Sequence, residues 1–245
     1  MLIGIFHEGS GLGNQLARYI ATRVFALDNG LEFGMVGNFK GESFMNIDKG
    51  VGIPFKSSVV YPQGKVVIES DFKMYEEDPF NPDYKVKLKD NTIIDGEFQG
   101  EDYFKHRKYE IDEWLKVKPL EMEDDLCIIG FRGGEYVGHP WFLPKSYWDK
   151  AIDIMKQRGV TKFKVVTDDV YNAKLMFPDF DVTHEIGMDW RQIRYAKNTI
   201  IANSSFYILP AWLSDAYVIA PMYWAGYNKG EWHLLQNKYT NFNYI

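Results

Sequence analysis

A chain of 245 residues that is 46% hydrophobic has the apolar material for one large domain or two small ones, which excludes disorder over most of its length. A formal charge of −6 and the lack of any Lys/Arg block argue against a nucleic-acid partner, so an anionic small ligand would need local basic groups. The single cysteine, Cys127, excludes an internal disulfide and sits in an apolar run, as an inert buried thiol in a reducing compartment would.

The chain opens with a buried strand, Leu2 to Phe6, too short and too poor in flanking basic residues for a signal peptide. Gly9-Ser10-Gly11-Leu12-Gly13 follows as a loop, and Leu16, Ile20, Val24 and Leu27 then mark one face of a helix stopped by Gly30. Leu31 to Val36 reads as the next strand. From Gly37 to Pro82 the signals are weak, with Val66-Val67-Ile68 as a short strand and Phe72 to Tyr84 as a solvated loop. Ile93-Ile94-Asp95 ends a strand at Gly96, Tyr103 to Leu115 is a charged helix, and Lys116 to Asp125, with Pro119, reads as a linker.

The second half alternates more clearly. Leu126 to Phe131 is a strand, Lys145 to Gln157 a helix, Phe163 to Val166 a strand and Tyr171 to Phe177 a short helix before Pro178. Asp189 to Ala196 is a helix, Thr199 to Ala202 a strand, Phe206 to Ser214 a helix and Tyr217 to Ala220 a strand. Such alternation implies parallel βαβ units, whose ligands sit at the carboxyl ends of strands. The loops Glu8–Gly13, Arg132–Gly138, Thr167–Asp169 and Asn203–Phe206 all fall there.

Asn203-Ser204-Ser205-Phe206 joins a strand to an apolar helix. Ser204 or Ser205 is placed to cap that helix, whose first N–H groups offer an anion site. Gly11 and Gly13 let the backbone approach a ligand at another helix start. The dinucleotide fingerprint wants a glycine where Asn14 stands, although Glu32 falls where its ribose acid would be; a nucleotide-dependent oxidoreductase therefore stays open, and a P-loop is excluded. Arg132 lies between a strand and Gly133-Gly134, where a guanidinium could hold two phosphate oxygens or merely pair with Glu135. Asp168 and Asp169 could hold a metal, accept from a base or ribose, or cap the next helix. His7, His106, His139, His184 and His233 show no metal-binding spacing. The 16% aromatic content suits both stacking on sugars and bases and an aromatic core.

Read in order, these segments resemble the bacterial α-1,2-fucosyltransferase family. Its G-G-L-G-N-Q loop is matched by Gly11-Leu12-Gly13-Asn14-Gln15. Its G-Y-F-Q-S-E-x-Y-F segment corresponds to Gly96-Glu97-Phe98-Gln99-Gly100-Glu101-Asp102-Tyr103-Phe104. H-x-R-R-G-D-Y stands against Gly130-Phe131-Arg132-Gly133-Gly134-Glu135-Tyr136, and F-S-D-D against Val166-Thr167-Asp168-Asp169. The I-I-A-N-S-S-F-S-W-W-x-A-W-L segment begins at Ile200 and ends at Leu213, and Val218-Ile219-Ala220-Pro221 closes the match.

The resemblance implies a GT-B-like α/β protein with two Rossmann-like domains whose parallel sheets flank a cleft: residues 1–120 on the acceptor side and 121–245 holding the nucleotide-sugar. The donor would be GDP-fucose, used with inversion and without a metal or other cofactor, and the acceptor an oligosaccharide or glycan hydroxyl. Independently of the resemblance, no stretch of the chain is long enough to span a bilayer and no signal peptide opens it, so a soluble cytoplasmic protein is the expectation. Arg132 would neutralise the diphosphate. Asn203, Ser204, Ser205 and Phe206 would line the donor site, Asp168 or Asp169 would face the nucleotide, and Gly11, Gly13 and Asn14 would reach in from the first half. Glu135, Glu8 and His7, in that order, are the candidates for the base that takes the acceptor proton.

The departures are specific. Gly130 replaces the family histidine, Gly133 its second arginine, Glu135 its aspartate, and Tyr207-Ile208-Leu209 its Ser-Trp-Trp. Losing one charge-assisted contact to a leaving diphosphate commonly costs about 3 kcal/mol of transition-state stabilisation. A noncatalytic GDP-sugar or glycan binder, and a glycosyltransferase with another nucleotide-sugar donor, are therefore the alternatives.

Overall fold

The computed structural model describes residues 1–52, 72–79, 81–223 and 239–245. Its first sheet grows from β1 (Leu2–Phe6), buried at all five positions, as a strand covered on both faces must be. A glycine-rich turn leads into α1 (Leu12–Asp28), then β2 (Phe33–Gly37), β3 (Lys73–Glu76) and β4 (Thr92–Asp95). The order is β2-β1-β4-β3, every pairing parallel. Two 3₁₀ turns and α2 (Lys108–Trp114) then carry the chain to the second sheet.

There, β5 (Leu126–Phe131), α3 (Lys145–Gln157), β6 (Lys162–Thr167), α4 (Val170–Met176) and β7 (Asp181–Thr183) build outwards in one direction. The chain returns through α5 (Ile186–Tyr195) to β8 (Asn198–Ile201), then α6 (Ser205–Leu213), β9 (Tyr217–Ala220) and β10 (Phe242–Tyr244) build outwards in the other. The resulting order, β10-β9-β8-β5-β6-β7, is parallel throughout and reads as a Rossmann sheet. Its topological switch lies between β5 and β8. The first sheet reverses likewise between β1 and β4, so each half opens a crevice at the carboxyl ends of two neighbouring strands.

One apolar cluster runs through both halves, from Leu16 and Phe25 of α1 to Trp148, Trp190 and Trp212. Between the halves, buried Glu101 takes the Trp212 indole N–H on one carboxylate oxygen and the Thr240 amide on the other, both at 3.0 Å. The segment expected to be a linker is irregular but tied down: Arg191 of α5 donates to the carbonyls of Lys118 and Pro119, and Tyr195 to that of Val117. Among the described residues no helix is long and apolar enough to cross a membrane.

Several expectations are corrected. Phe72 to Tyr84 is not merely a loop, because β3 lies within it and pairs with β4. The helix expected from Tyr103 starts regular α geometry only at Lys108, since Phe104 leaves the helical region at φ −145. The α5 helix begins three residues before the expected Asp189, capped by the Glu185 carboxylate on the amides of Gly187 and Met188. Strands β7 and β10, of three residues each, are too short to carry a periodic signal. Val66-Val67-Ile68 and His233 lie outside the described residues.

Candidate functional site

The loops leaving both crevices enclose a cavity of about 510 Å³, within the range of small-molecule sites. From the first half come Gly11, Leu12, Gly13, Asn14, Lys40, Glu97 and Gln99; from the second, Arg132, Glu135, Tyr136, Asp168, His184, Asp189 and Ser204 through Tyr207, among others.

Two helices begin at this cavity. Gly11 precedes α1 and Ser204 precedes α6, and neither residue makes a side-chain capping bond, so the first N–H groups of both helices are left for other partners. Ser204 thus stands at the capping position without performing the expected cap. Ser205 instead donates its hydroxyl to Asn14 Oδ1 at 2.5 Å, joining the two helix starts. Their approach explains Gly13: a Cβ there would lie 2.4 Å from the Phe206 nitrogen. Gly13 is demanded by the opposing helix, whereas Gly11 has open space around it and is the glycine that leaves room for a ligand.

Arg132 follows the end of β5. Its Nη2 donates to Glu135 at 2.6 Å and its Nη1 lies 2.9 Å from Asp168. Burial works against its charge, but the two carboxylates outweigh that and keep the guanidinium protonated. Its buried Nε–H has no hydrogen-bond partner among the described residues, an unmet demand that an anion's oxygen could answer.

Asp168 and Asp169 act together. They accept the amides of Gly133 and Gly134, each at 3.0 Å, and so hold the glycine turn behind Arg132. Asp169 also caps α4 through the Asn172 amide and does not line the cavity; Asp168 does. A Cβ at Gly133 would come 2.6 Å from that of Asp169, so there is no room for a second arginine here. A Cβ at Gly130 would come within 2.8 Å of the Tyr207 ring. Tyr207, buried and donating its hydroxyl to the Phe131 carbonyl at 2.8 Å, fills the volume that a side chain at 130 would use. The two departures, Gly130 and Tyr207, are therefore one packing event.

Other expected residues lie elsewhere. Asn203 is fully buried, and its amide donates to the Trp141 carbonyl at 3.1 Å; it shapes the turn and does not line the cavity. His7 bonds Asp95 at 3.1 Å, and neither it nor Glu8 lines the cavity. Glu32 precedes β2, at the end of the first sheet opposite these loops, so the acid of a dinucleotide site is at the wrong end of its strand. Among the described residues no three His, Cys, Asp or Glu side chains are grouped to hold a metal.

Residues that the sequence did not single out also line the cavity. Asp189, 3% exposed, takes the Glu185 amide on Oδ2 at 3.1 Å, while Oδ1 is buried without a partner among the described residues. Burial raises its pKa to about 7, although the Glu185 amide and His184 pull the other way. Burial also raises Glu97, against Arg18 and the Gln99 amide. Glu97 is exposed to solvent, but the surrounding protein still penalises its charge. Lys40 and His184 complete the wall. Only their meeting in space marks these residues; a capping acid at Glu185 was the one signal that could have moved the α5 start and put Asp189 in its first turn.

Two parallel α/β units meeting at a shared cleft define a GT-B-like architecture. The crystal structure of NodZ alpha-1,6-fucosyltransferase soaked with GDP-fucose has this fold: the TM-score is 0.51 at 12% sequence identity, over 96% of this chain and 99% of that one. The structure of fucosyltransferase NodZ from Bradyrhizobium gives 0.47 at 11%, over 86% and 93%. No protein-family model matches the chain, and no curated protein matches its sequence.

Proposed function

We propose that this protein is a glycosyltransferase that moves fucose from GDP-fucose to a glycan hydroxyl, with inversion, without a metal ion and in the cytoplasm. One observation carries the proposal: Arg132, with its unpaired Nε–H, and the uncapped starts of α1 and α6 share a single cavity. Positive helix ends and a guanidinium together suit a diphosphate, and they stabilise the charge that develops when it leaves. The fold shared with a fucosyltransferase soaked with GDP-fucose agrees with this donor.

In this reading Ser204, Ser205 and Phe206 offer the start of α6 to the phosphates, and Gly11, Gly13 and Asn14 that of α1. Asp168 and Asp169 hold the Arg132 turn, and Glu135 orients the guanidinium. Asp189 is the candidate contact to the nucleotide base: its one orphan carboxylate oxygen would accept an N–H donor such as guanine N1–H or the N3–H of uracil and thymine, whereas adenine presents an N1 acceptor. The motif order favours a C2 hydroxyl as acceptor, while NodZ is named for a 1,6 linkage; NMR of the product distinguishes the two.

The test is calorimetry with GDP, UDP, dTDP and NAD, with and without magnesium. GDP is expected to bind most tightly, equally well without magnesium; binding of NAD alone overturns the reading. A second reading, a noncatalytic GDP-sugar binder, is favoured by the lack of space for a second cation at Gly133. It requires GDP binding with no donor consumed.

A further inference from the structure

Expected acceptor activation at Glu135, Glu8 or His7 leaves the acceptor side of the cavity without a base. Glu135 is bound to Arg132, and the other two do not line the cavity. Glu97 does, and it stands where the resembled family carries a tyrosine. It leaves the carboxyl end of β4 at the first sheet's switch point, so it belongs to the wall built by the first half, whereas Arg132 and the start of α6 belong to the second. A base and a leaving-group anchor on separate walls of one cavity leave the space between them for the reacting carbon.

The Glu97 carboxylate is also held in place. Gln99 donates one amide hydrogen to Glu97 Oε2 at 3.1 Å and the other to Asn14 Oδ1 at 3.0 Å, and Asn14 in turn accepts from Ser205. This chain links Glu97 to the start of α6. Behind it, Glu77 accepts the amides of Glu97 and Phe98 at 2.7 and 2.8 Å. That clamp holds Phe98 at φ +45, a left-handed conformation that a bulky residue normally avoids and that recurs at functional sites.

We propose that Glu97 is the general base of the transfer, a step that rests on the glycosyltransferase reading above. The acceptor O–H bond breaks and its proton passes to the Glu97 carboxylate. The freed oxygen forms a bond to the anomeric carbon as the bond from that carbon to the diphosphate oxygen breaks, and the electron pair leaves with GDP against Arg132 and the helix ends. Glu97 then returns its proton to water. The groups acting on its charge come from each neighbouring element: Arg18 of α1 favours ionisation, Glu77 beyond β3 and Asp95 of β4 oppose it, and burial, the largest influence, raises its pKa. A carboxylate raised in this way is better matched to taking a proton near neutral pH.

The experiment compares wild type, Glu97→Gln and Glu97→Asp, each checked for folding by its melting curve. The readouts are GDP binding by calorimetry, GDP release from GDP-fucose with water and with an oligosaccharide panel, and GDP release with azide, an anionic nucleophile that needs no base. For Glu97→Gln, transfer to hydroxyls is expected to fall about 100-fold or more. GDP affinity should stay within about threefold and azide-driven release near wild type, while the rising limb of the pH–rate profile should disappear. Glu97→Asp should recover part of the rate. Hydroxyl transfer by Glu97→Gln within about threefold of wild type overturns the assignment, as does an equal loss of hydroxyl and azide reactions. Wild type that binds GDP but releases none from the donor removes the base and leaves donor binding standing; wild type that binds no GDP overturns both readings.

Discussion

The junctions β1–α1 and β8–α6 solve the same problem with different residues. Each turns a buried strand into a helix whose first N–H groups have no side-chain cap, and each opens on the same cavity. The first uses glycines and the second Asn203-Ser204-Ser205. The difference is steric. Gly13 must let the α6 backbone come within what would be a Cβ radius, whereas at the α6 junction Asn203 is anchored to Trp141 and Ser205 reaches back to Asn14. The serine side is fixed by side-chain bonds, and the glycine side fits itself to it.

The sharpest way to break this comparison is to remove the cation beside the α6 junction. Arg132→Ala should lower kcat/KM about 100- to 1000-fold, as loss of one electrostatic donor to a developing oxyanion does, and weaken GDP binding by calorimetry. Retained turnover would mean that the helix starts suffice. At the glycine side, Gly13→Ala should cost about 1–3 kcal/mol of stability through overpacking against the Phe206 nitrogen, and GDP binding should fall with it. Gly11→Ala, with open space around it, should cost less than about 1 kcal/mol, the ordinary scale for the capping position. Urea unfolding of both variants checks the contrast, and equal losses would refute the separate roles of the two glycines.

A double-mutant cycle tests the packing above the α6 junction. Gly130→His alone should cost about 1–3 kcal/mol against the Tyr207 ring, and Tyr207→Ser alone about 3–5 kcal/mol as a buried ring is lost. Together they should be less damaging than their sum by about 0.5–3 kcal/mol; strict additivity would separate the two departures.

A further test is a pH dependence. In the free protein Asp189 titrates near pH 7 because burial disfavours its charge. A donor such as guanine N1–H would stabilise the carboxylate, so binding releases a proton and affinity rises with pH until the group is ionised. GDP should therefore bind about tenfold more weakly at pH 6 than at pH 8. The dependence should vanish in Asp189→Asn, and a flat profile in wild type would remove Asp189 from the base contact.

Much of the fold was legible in the sequence. Continuous apolar runs such as Leu126 to Phe131 and the helical stripe Leu16, Ile20, Val24 carry their own period, and most strand-to-helix alternations of the second half follow. Short elements such as β7 and β10 have too few residues to show a period, and Pro and Asp around β3 hid a strand that exists through its pairing with β4. At the site, Arg132, Asp168 and Ser204–Phe206 were legible because each follows an apolar strand and carries a side chain with obvious chemistry. Glu97 and Asp189 were not, because a carboxylate in a turn or a first helical turn is commonplace until its surroundings desolvate it.

The sequence by itself determined that this is a parallel α/β protein and where its strand ends lie, because local periodicity and turn chemistry act over a few residues. The tertiary structure alone decided the strand order, which puts β5 beside β8 and β1 beside β4 and so brings loops far apart in the chain to one cavity. It also decided which residues are interchangeable there: Gly13 is fixed by a helix nearly two hundred residues away, and Gly130 by Tyr207. Packing excludes volume regardless of separation along the chain, and a linear reading carries no record of which distant atoms will occupy that volume.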